Sequence, residues 1–107
     1  MRIPADAIIA DEKLTRYLLV YRPFDDKSKF LAQAGFTIYN WPVLRQAIRT
    51  LADAVEAVEE GADEYGVFFQ VRGALRGPGG NLSVKLVWMR RAVDGRSHFV
   101  TLVPWKE

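Results

Sequence analysis

Residues 82–105 read LSVKLVWMRRAVDGRSHFVTLVPW. Valine, leucine and aromatic residues dominate, the repeat is close to two, and Asp94-Gly95 breaks it with a pair suited to the positive φ angles of a two-residue hairpin turn. The stretch predicts two antiparallel strands, 82–92 and 97–105. Upstream, Gly77-Pro78-Gly79-Gly80-Asn81 reads as a longer turn, and residues 65–76 as a third strand of the same period. The sheet therefore occupies residues 65–105.

The first half, residues 1–62, has helical spacing instead. Asp11 caps a short helix over 12–20 that turns Leu14, Tyr17, Leu18 and Leu19 inward, ended by Pro23. Asp25 or Asp26 caps a second short helix over 27–34 that buries Phe30, Leu31 and Ala34 and stops at Gly35. A long helix starts at Asn40 with Pro42 in its first turn, carries Leu44, Ala47, Ile48, Leu51, Val55 and Val58 on one face, and ends at Gly61. Arg45, Gln46, Arg49, Asp53, Glu56 and Glu59 fall on its solvated side. The expectation is one α+β domain spanning 1–107, with two short helices and one long helix packed on one face of a three-stranded antiparallel sheet.

If Asp94 and Gly95 form the turn, Arg91 lies opposite His98, Met89 opposite Val100 and Trp88 opposite Thr101. One face then holds Val87, Met89, Val100 and Leu102, with Lys85, Arg91 and His98 near its ends. The other holds Leu86, Trp88, Arg90, Phe99, Thr101 and Val103. A central arginine beside Trp88 is costly to bury, so the aliphatic set is assigned to the core. On the first strand Val67, Phe69 and Val71 join it. The open face presents Phe68, Gln70, Arg72, Trp88, Arg90, Phe99 and Thr101; the inverse assignment would bury Trp88 and Phe99 and expose His98, Lys85 and Arg91.

Composition narrows the function classes. The 107 residues are half hydrophobic and about a quarter charged, ordinary globular usage. There is no cysteine and one histidine, His98, which leaves neither a disulfide framework nor a thiolate or imidazole metal site. Glu59, Glu60, Asp63 and Glu64 lack the alternating spacing of a calcium loop. No cofactor or metal is expected. The start lacks the apolar run of a signal peptide and no later run is long enough to span a membrane, so a cytoplasmic protein with no membrane partner is expected. Net charge is only +2, but from Tyr65 onward Arg72, Arg76, Lys85, Arg90, Arg91, Arg96 and Lys106 face only Asp94 and Glu107.

Arginines interleaved with aromatic rings on an open sheet suit single-stranded nucleic acid, where guanidinium groups meet phosphate and rings stack on bases. The same residues suit a protein interface. Lys27 and Lys29 stand in the first turn of the second helix, against the helix dipole, which makes that turn an anion-site candidate unless Asp25 and Asp26 neutralise them. The glycine-rich 77–80 segment joins two strands and lacks a phosphate-loop ending.

Taken together, Lys13-Leu14-Thr15-Arg16-Tyr17-Leu18-Leu19, Asp26-Lys27-Ser28-Lys29-Phe30-Leu31, Gly35-Phe36, Glu64-Tyr65-Gly66, Gly77-Pro78 and Phe99-Val100-Thr101-Leu102-Val103-Pro104 resemble a small uncharacterised bacterial domain family. That family resembles the toxin domains of the barnase/EndoU/colicin/RelE superfold, in which helices precede an antiparallel sheet whose face cleaves RNA. The resemblance carries the toxins' helix lysine onto Lys29, their middle-strand tryptophan onto Trp88 and their valine-threonine onto Val100-Thr101. Where those toxins have a tyrosine soon after the threonine, this chain has Leu102 and Val103.

The resemblance implies a metal-independent endoribonuclease of a toxin-antitoxin or toxin-immunity system, with a small cognate antitoxin or immunity protein as partner. In that reading Lys29 and Arg72 hold the scissile phosphate, Thr101 positions the attacking 2′-hydroxyl, and Lys27, Gln70, Trp88, Arg90 and Phe99 bind RNA. No residue is an evident general base, Lys29 and His98 being the candidates. The runner-up is a non-catalytic interaction module whose open face binds a small partner protein or, as a homodimer, its own copy.

Overall fold

The computed structural model describes residues 1–24 and 26–105. The chain is an α+β fold built on an antiparallel sheet of four strands in sequential order: β1 Val58–Asp63, β2 Gly66–Gly77, β3 Gly80–Arg91 and β4 Ser97–Pro104. One long helix, α2 (Trp41–Ala54), and three short pieces precede it: a π-helical segment Lys13–Leu18, the five-residue α1 (Ser28–Ala32) and a 3-10 turn Ile38–Asn40.

The fourth strand corrects the expected three. The long helix stops at Ala54, and Val55 is already extended at φ −121° and ψ 138°. Continuing to Gly61 would have stacked Asp53, Glu56, Glu59 and Glu60 at the negative end of the helix dipole. The chain turns back instead, and residues 58–63 pair with β2. All six are exposed. The Asp63 carboxylate closes the hairpin by accepting from the backbone N–H groups of Tyr65 and Gly66, at 2.8 and 3.2 Å.

The two short helices also fall short of expectation. α1 covers Ser28–Ala32, so Lys27 precedes it rather than standing in its first turn. Asp26 binds the backbone and hydroxyl of Ser28 at 3.1 and 2.7 Å; the alternative cap, Asp25, lies outside the described residues, as do Lys106 and Glu107. Asp11 pairs with Arg45. Leu14, Leu18 and Leu19 are buried as expected, whereas Tyr17 faces outward because the wider π-helical turn places residues i+4 and i+5 under the same stripe. Gly35, at φ +85°, ends the α1 region, and the close approach of Gly77 to the Ala34 carbonyl and Phe36 ring seats the β2–β3 hairpin tip beside it.

The face assignment is inverted on β3. Leu86 and Trp88 are fully buried with Phe69, Val71, Phe99 and Leu102, beneath Leu44, Ile48 and Leu51 of α2. Trp88 and Phe99 meet edge to face at 5.4 Å. The argument against burying Arg90 fails because Arg90 sits near the strand end: its guanidinium lies 5.4 Å above the Phe69 ring and stays in solvent. The β3–β4 register also differs. Trp88 pairs with Phe99 and Met89 with His98, and an extra residue, Val100, shifts the ladder so that Leu86 meets Leu102 and Val87 meets Thr101. The connection is a four-residue loop, 92–95, bounded by the 2.9 Å bond from Arg91 N–H to the Arg96 carbonyl.

Arg45 and Arg49, read as solvated, hold down the N-terminal segment instead. Arg45 donates to the Ile9 carbonyl at 3.0 Å, and Arg49 donates to the carbonyls of Pro4 and Ala7. That segment adds a parallel bridge at Ile8 to His98, covering the first part of the outer edge of β4. No described helix is long and apolar enough to cross a membrane.

Candidate nucleic-acid interface

The helices cover one face of the sheet and leave the other open. Across its middle run Val58, Gln70, Val87 and Thr101, paired strand by strand; the next row holds Arg72, Lys85 and Val103. Phe68 and Met89 are half-buried one row the other way. Gln70, Arg72 and Thr101 thus lie on the open face, as the sequence suggests. Trp88 and Phe99 do not: both are sealed in the core and cannot stack on a base. Arg90 reaches solvent on the helical side.

The expected trio of Lys29, Arg72 and Thr101 is not assembled. Lys29 is exposed, with its ammonium 5.6 Å above the Tyr21 ring. Arg72 lies two strands and one row from Thr101, a Cα separation of about 12 Å at normal sheet spacings. Its guanidinium donates to Gln70 at 3.1 Å and stacks 4.1 Å from the Trp105 ring. Lys85, beside it, is bound to Glu60 at 2.9 Å.

Thr101 instead meets a different lysine. The Lys27 ammonium lies 3.4 Å from its hydroxyl oxygen. Around this contact the π-helical segment and β4 enclose a cleft of about 280 Å³ lined by Lys13, Tyr17, Leu18, Arg22, Lys27, Val100 and Thr101. Arg22 packs 5.0 Å above the Tyr17 ring and Lys13 lies 6.0 Å from it. Three cations, one phenol and one threonine hydroxyl therefore line the cleft. The nearby Asp26 is engaged by Ser28, whose hydrogen bonds hold its carboxyl below the usual carboxylate range.

Lys13, Tyr17 and Arg22 were missed in the sequence because an α-helical reading turns Tyr17 inward; the cationic spacing 13, 22, 27 was the available signal. His98, the other candidate proton carrier, is remote from this chemistry: it pairs with Met89, and its buried Nε2 meets no hydrogen-bonding group among the described residues. Among the described residues, no three acidic, histidine or cysteine side chains converge as metal donors.

A family model described as a domain of unknown function, DUF6883, matches residues 4–106. No curated protein and no solved structure matches the chain at a significant level.

Proposed function

The chain belongs to the DUF6883 domain family, and we propose, from the cleft's lining, that it acts on RNA as a metal-independent, endoribonuclease-like domain of the toxin type. The phosphate site is the cleft between the π-helical segment and β4. The observation that carries this reading is the cleft's lining: Lys13 and Arg22 face one small cavity beside the Tyr17 phenol and the Thr101 hydroxyl. Such a cavity attracts a phosphodiester, and Tyr17 with Val100 offers an aromatic and apolar wall to an unpaired base.

In this reading the 2′-oxygen attacks phosphorus and the bond to the 5′-oxygen breaks, leaving a 2′,3′-cyclic phosphate and a 5′-hydroxyl. The three cations stabilise the charge gathering on the phosphoryl oxygens, Thr101 orients the 2′-hydroxyl, and the Tyr17 phenol donates to the leaving oxygen. Among the described lining residues no imidazole or carboxylate takes the 2′-proton, which passes to water. Lacking a general base forgoes a factor of about 10²–10⁴, so cleavage is slow.

The second reading, a non-catalytic interaction module, draws on the half-buried apolar side chains of Phe68, Val87, Met89 and Val103 across the open face. A small cognate antitoxin or immunity protein, or a second copy, would cover them. Incubating the protein with single-stranded RNA in EDTA, beside Lys27→Ala, separates the readings. Fragments ending in cyclic phosphate and lost in the variant support cleavage. RNA bound but intact leaves a binding domain, and RNA neither bound nor cut removes the proposal.

A further inference from the structure

The register leaves part of the sheet without a strand partner. β2 pairs with β3 along its whole length, from Gly66–Arg91 to Gly77–Gly80, but with β1 only from Gly66 to Gln70. The hairpin closing at Gly77–Gly80 turns the backbone groups of odd-numbered residues toward β3, and those of even-numbered residues the other way. Up to Gln70 these meet β1. Beyond it, Arg72, Ala74 and Arg76 direct their N–H and C=O groups outward, and no backbone hydrogen bond among the described residues engages them there.

This edge is built differently from the exposed edge of β1. There Glu59, Glu60 and Asp63, with a register break beside Glu60, guard against a further strand. At β2 the central residue is alanine. Beneath it, α2 projects Val43, Ala47, Thr50 and Ala54 past the sheet, and with Ala74 and Arg76 they bound an apolar groove of about 770 Å³. Side chains alternate along a strand, so an added strand would lay every second one into this groove while its backbone met the edge.

Charge selects the occupant. Arg72 and Arg76 flank Ala74 on the open face, and no carboxylate lines the groove among the described residues. Glu56, at its far end, is paired with the N-terminal ammonium at 3.0 Å. The self-pairing of two copies that uses all three residues is centred on Ala74 and sets Arg72 against Arg76 twice, which like-charge repulsion opposes.

We propose that the free β2 edge from Arg72 to Arg76, with the α2 groove beneath it, takes an extended segment of a partner protein as an added strand. That segment alternates small apolar residues, laid into the groove, with acidic residues beside the two arginines. The site lies at β2, across the sheet from the cationic cleft at β4, and does not rest on the RNA reading.

The probe is a capped seven-residue peptide alternating glutamate and valine, titrated into isotopically labelled protein and followed by amide NMR. The amides of Arg72, Ala74 and Arg76 shift, and their hydrogen exchange slows tenfold or more at saturation. The lysine-valine counterpart binds at least tenfold more weakly, and a peptide N-methylated on its edge-facing positions does not bind. Ala74→Pro removes an outward N–H that has no partner on β3, so it abolishes binding while Tyr17 and Thr101 keep their signals. Absence of shifts at about 1 mM peptide, shifts confined to other residues, or equal binding of the N-methylated peptide overturns the proposal. So does concentration dependence of the same three amides without peptide, which would mean self-pairing.

Discussion

Neutralising Arg22 tests the proposed phosphate site most directly, because the effect has a predicted slope and not only a sign. Three cations line the cleft. On single-stranded nucleic acid each neutralised phosphate contributes about −0.7 to the slope of log affinity against log salt, so the cleft supplies about −2.1 when its three cations meet the scissile phosphate and its two neighbours. Raising salt from about 50 to about 200 mM then weakens this part of binding about 18-fold. With Arg22→Gln the slope falls to about −1.4 and the same step costs only about 7-fold. The assay is fluorescence anisotropy of a labelled 2′-O-methyl RNA oligonucleotide, which binds but cannot undergo attack by its blocked 2′-oxygen. Arg22 is exposed, and its loss should change stability by no more than about 0.5 kcal/mol. The quantity that decides is the difference of about 0.7 in slope between the two proteins. Equal slopes for the wild type, Arg22→Gln and Lys13→Gln would refute the cleft as the phosphate site.

Other consequences are equally open to measurement. Trp88→Ala should cost about 3–5 kcal/mol in a urea titration, whereas Met89→Ala on the half-buried opposite face should cost far less; equal losses would contradict the face assignment. Lys29→Ala should leave RNA affinity unchanged while Lys27→Ala weakens it, and the reverse order would return the site to α1. Hydrogen bonds from Ser28 and from the Arg96 backbone hold Asp26 and Asp94 below their ordinary 3.8, and the N-terminal ammonium holds Glu56 below 4.5. Carboxyls depressed in the folded state contribute fully above their unfolded pKa values and lose that contribution as pH falls through the folded ones. The melting temperature should therefore decline below about pH 4.5, and Asp94→Asn should reduce that decline. An acid limb identical in the variant would exclude Asp94 as a contributor.

Legibility followed physical signal. α2 was readable because Leu44, Ile48 and Leu51 repeat at helical spacing and nothing competes with that pattern. Its end was not: Val55 and Val58 continue the same spacing, and the strand they enter, Val58–Asp63, is wholly exposed and has no alternation to betray it. On β2 Phe69 and Val71 turn inward and Gln70 and Arg72 outward, as their alternation predicts, since that strand is regular. On β3 both neighbouring sets are apolar, so pattern could not choose, and the deciding argument depended on how near Arg90 stands to a strand end. In the cleft, Lys27 and Thr101 were both named from sequence, but as parts of different groups. Joining them requires the π-helical segment and the irregular fourth strand, and neither has a local signature.

The extra residue Val100 in β4 has a consequence for how such chains vary. It makes buried positions fall at 99 and 102, a spacing of three, so the hydrophobic alternation changes phase inside a single strand. Had the register of Trp88 with Phe99 continued, Thr101 would sit opposite Leu86, in the core, and Leu102 opposite Lys85, on the surface. Loss of that one residue would leave Thr101 opposite Val87 and Leu102 opposite Leu86 in an unbroken ladder. Among homologous chains, a single-residue gap here would therefore matter less than most substitutions: it would keep both the hydroxyl beside Lys27 and the leucine under α2 and remove only the bulge.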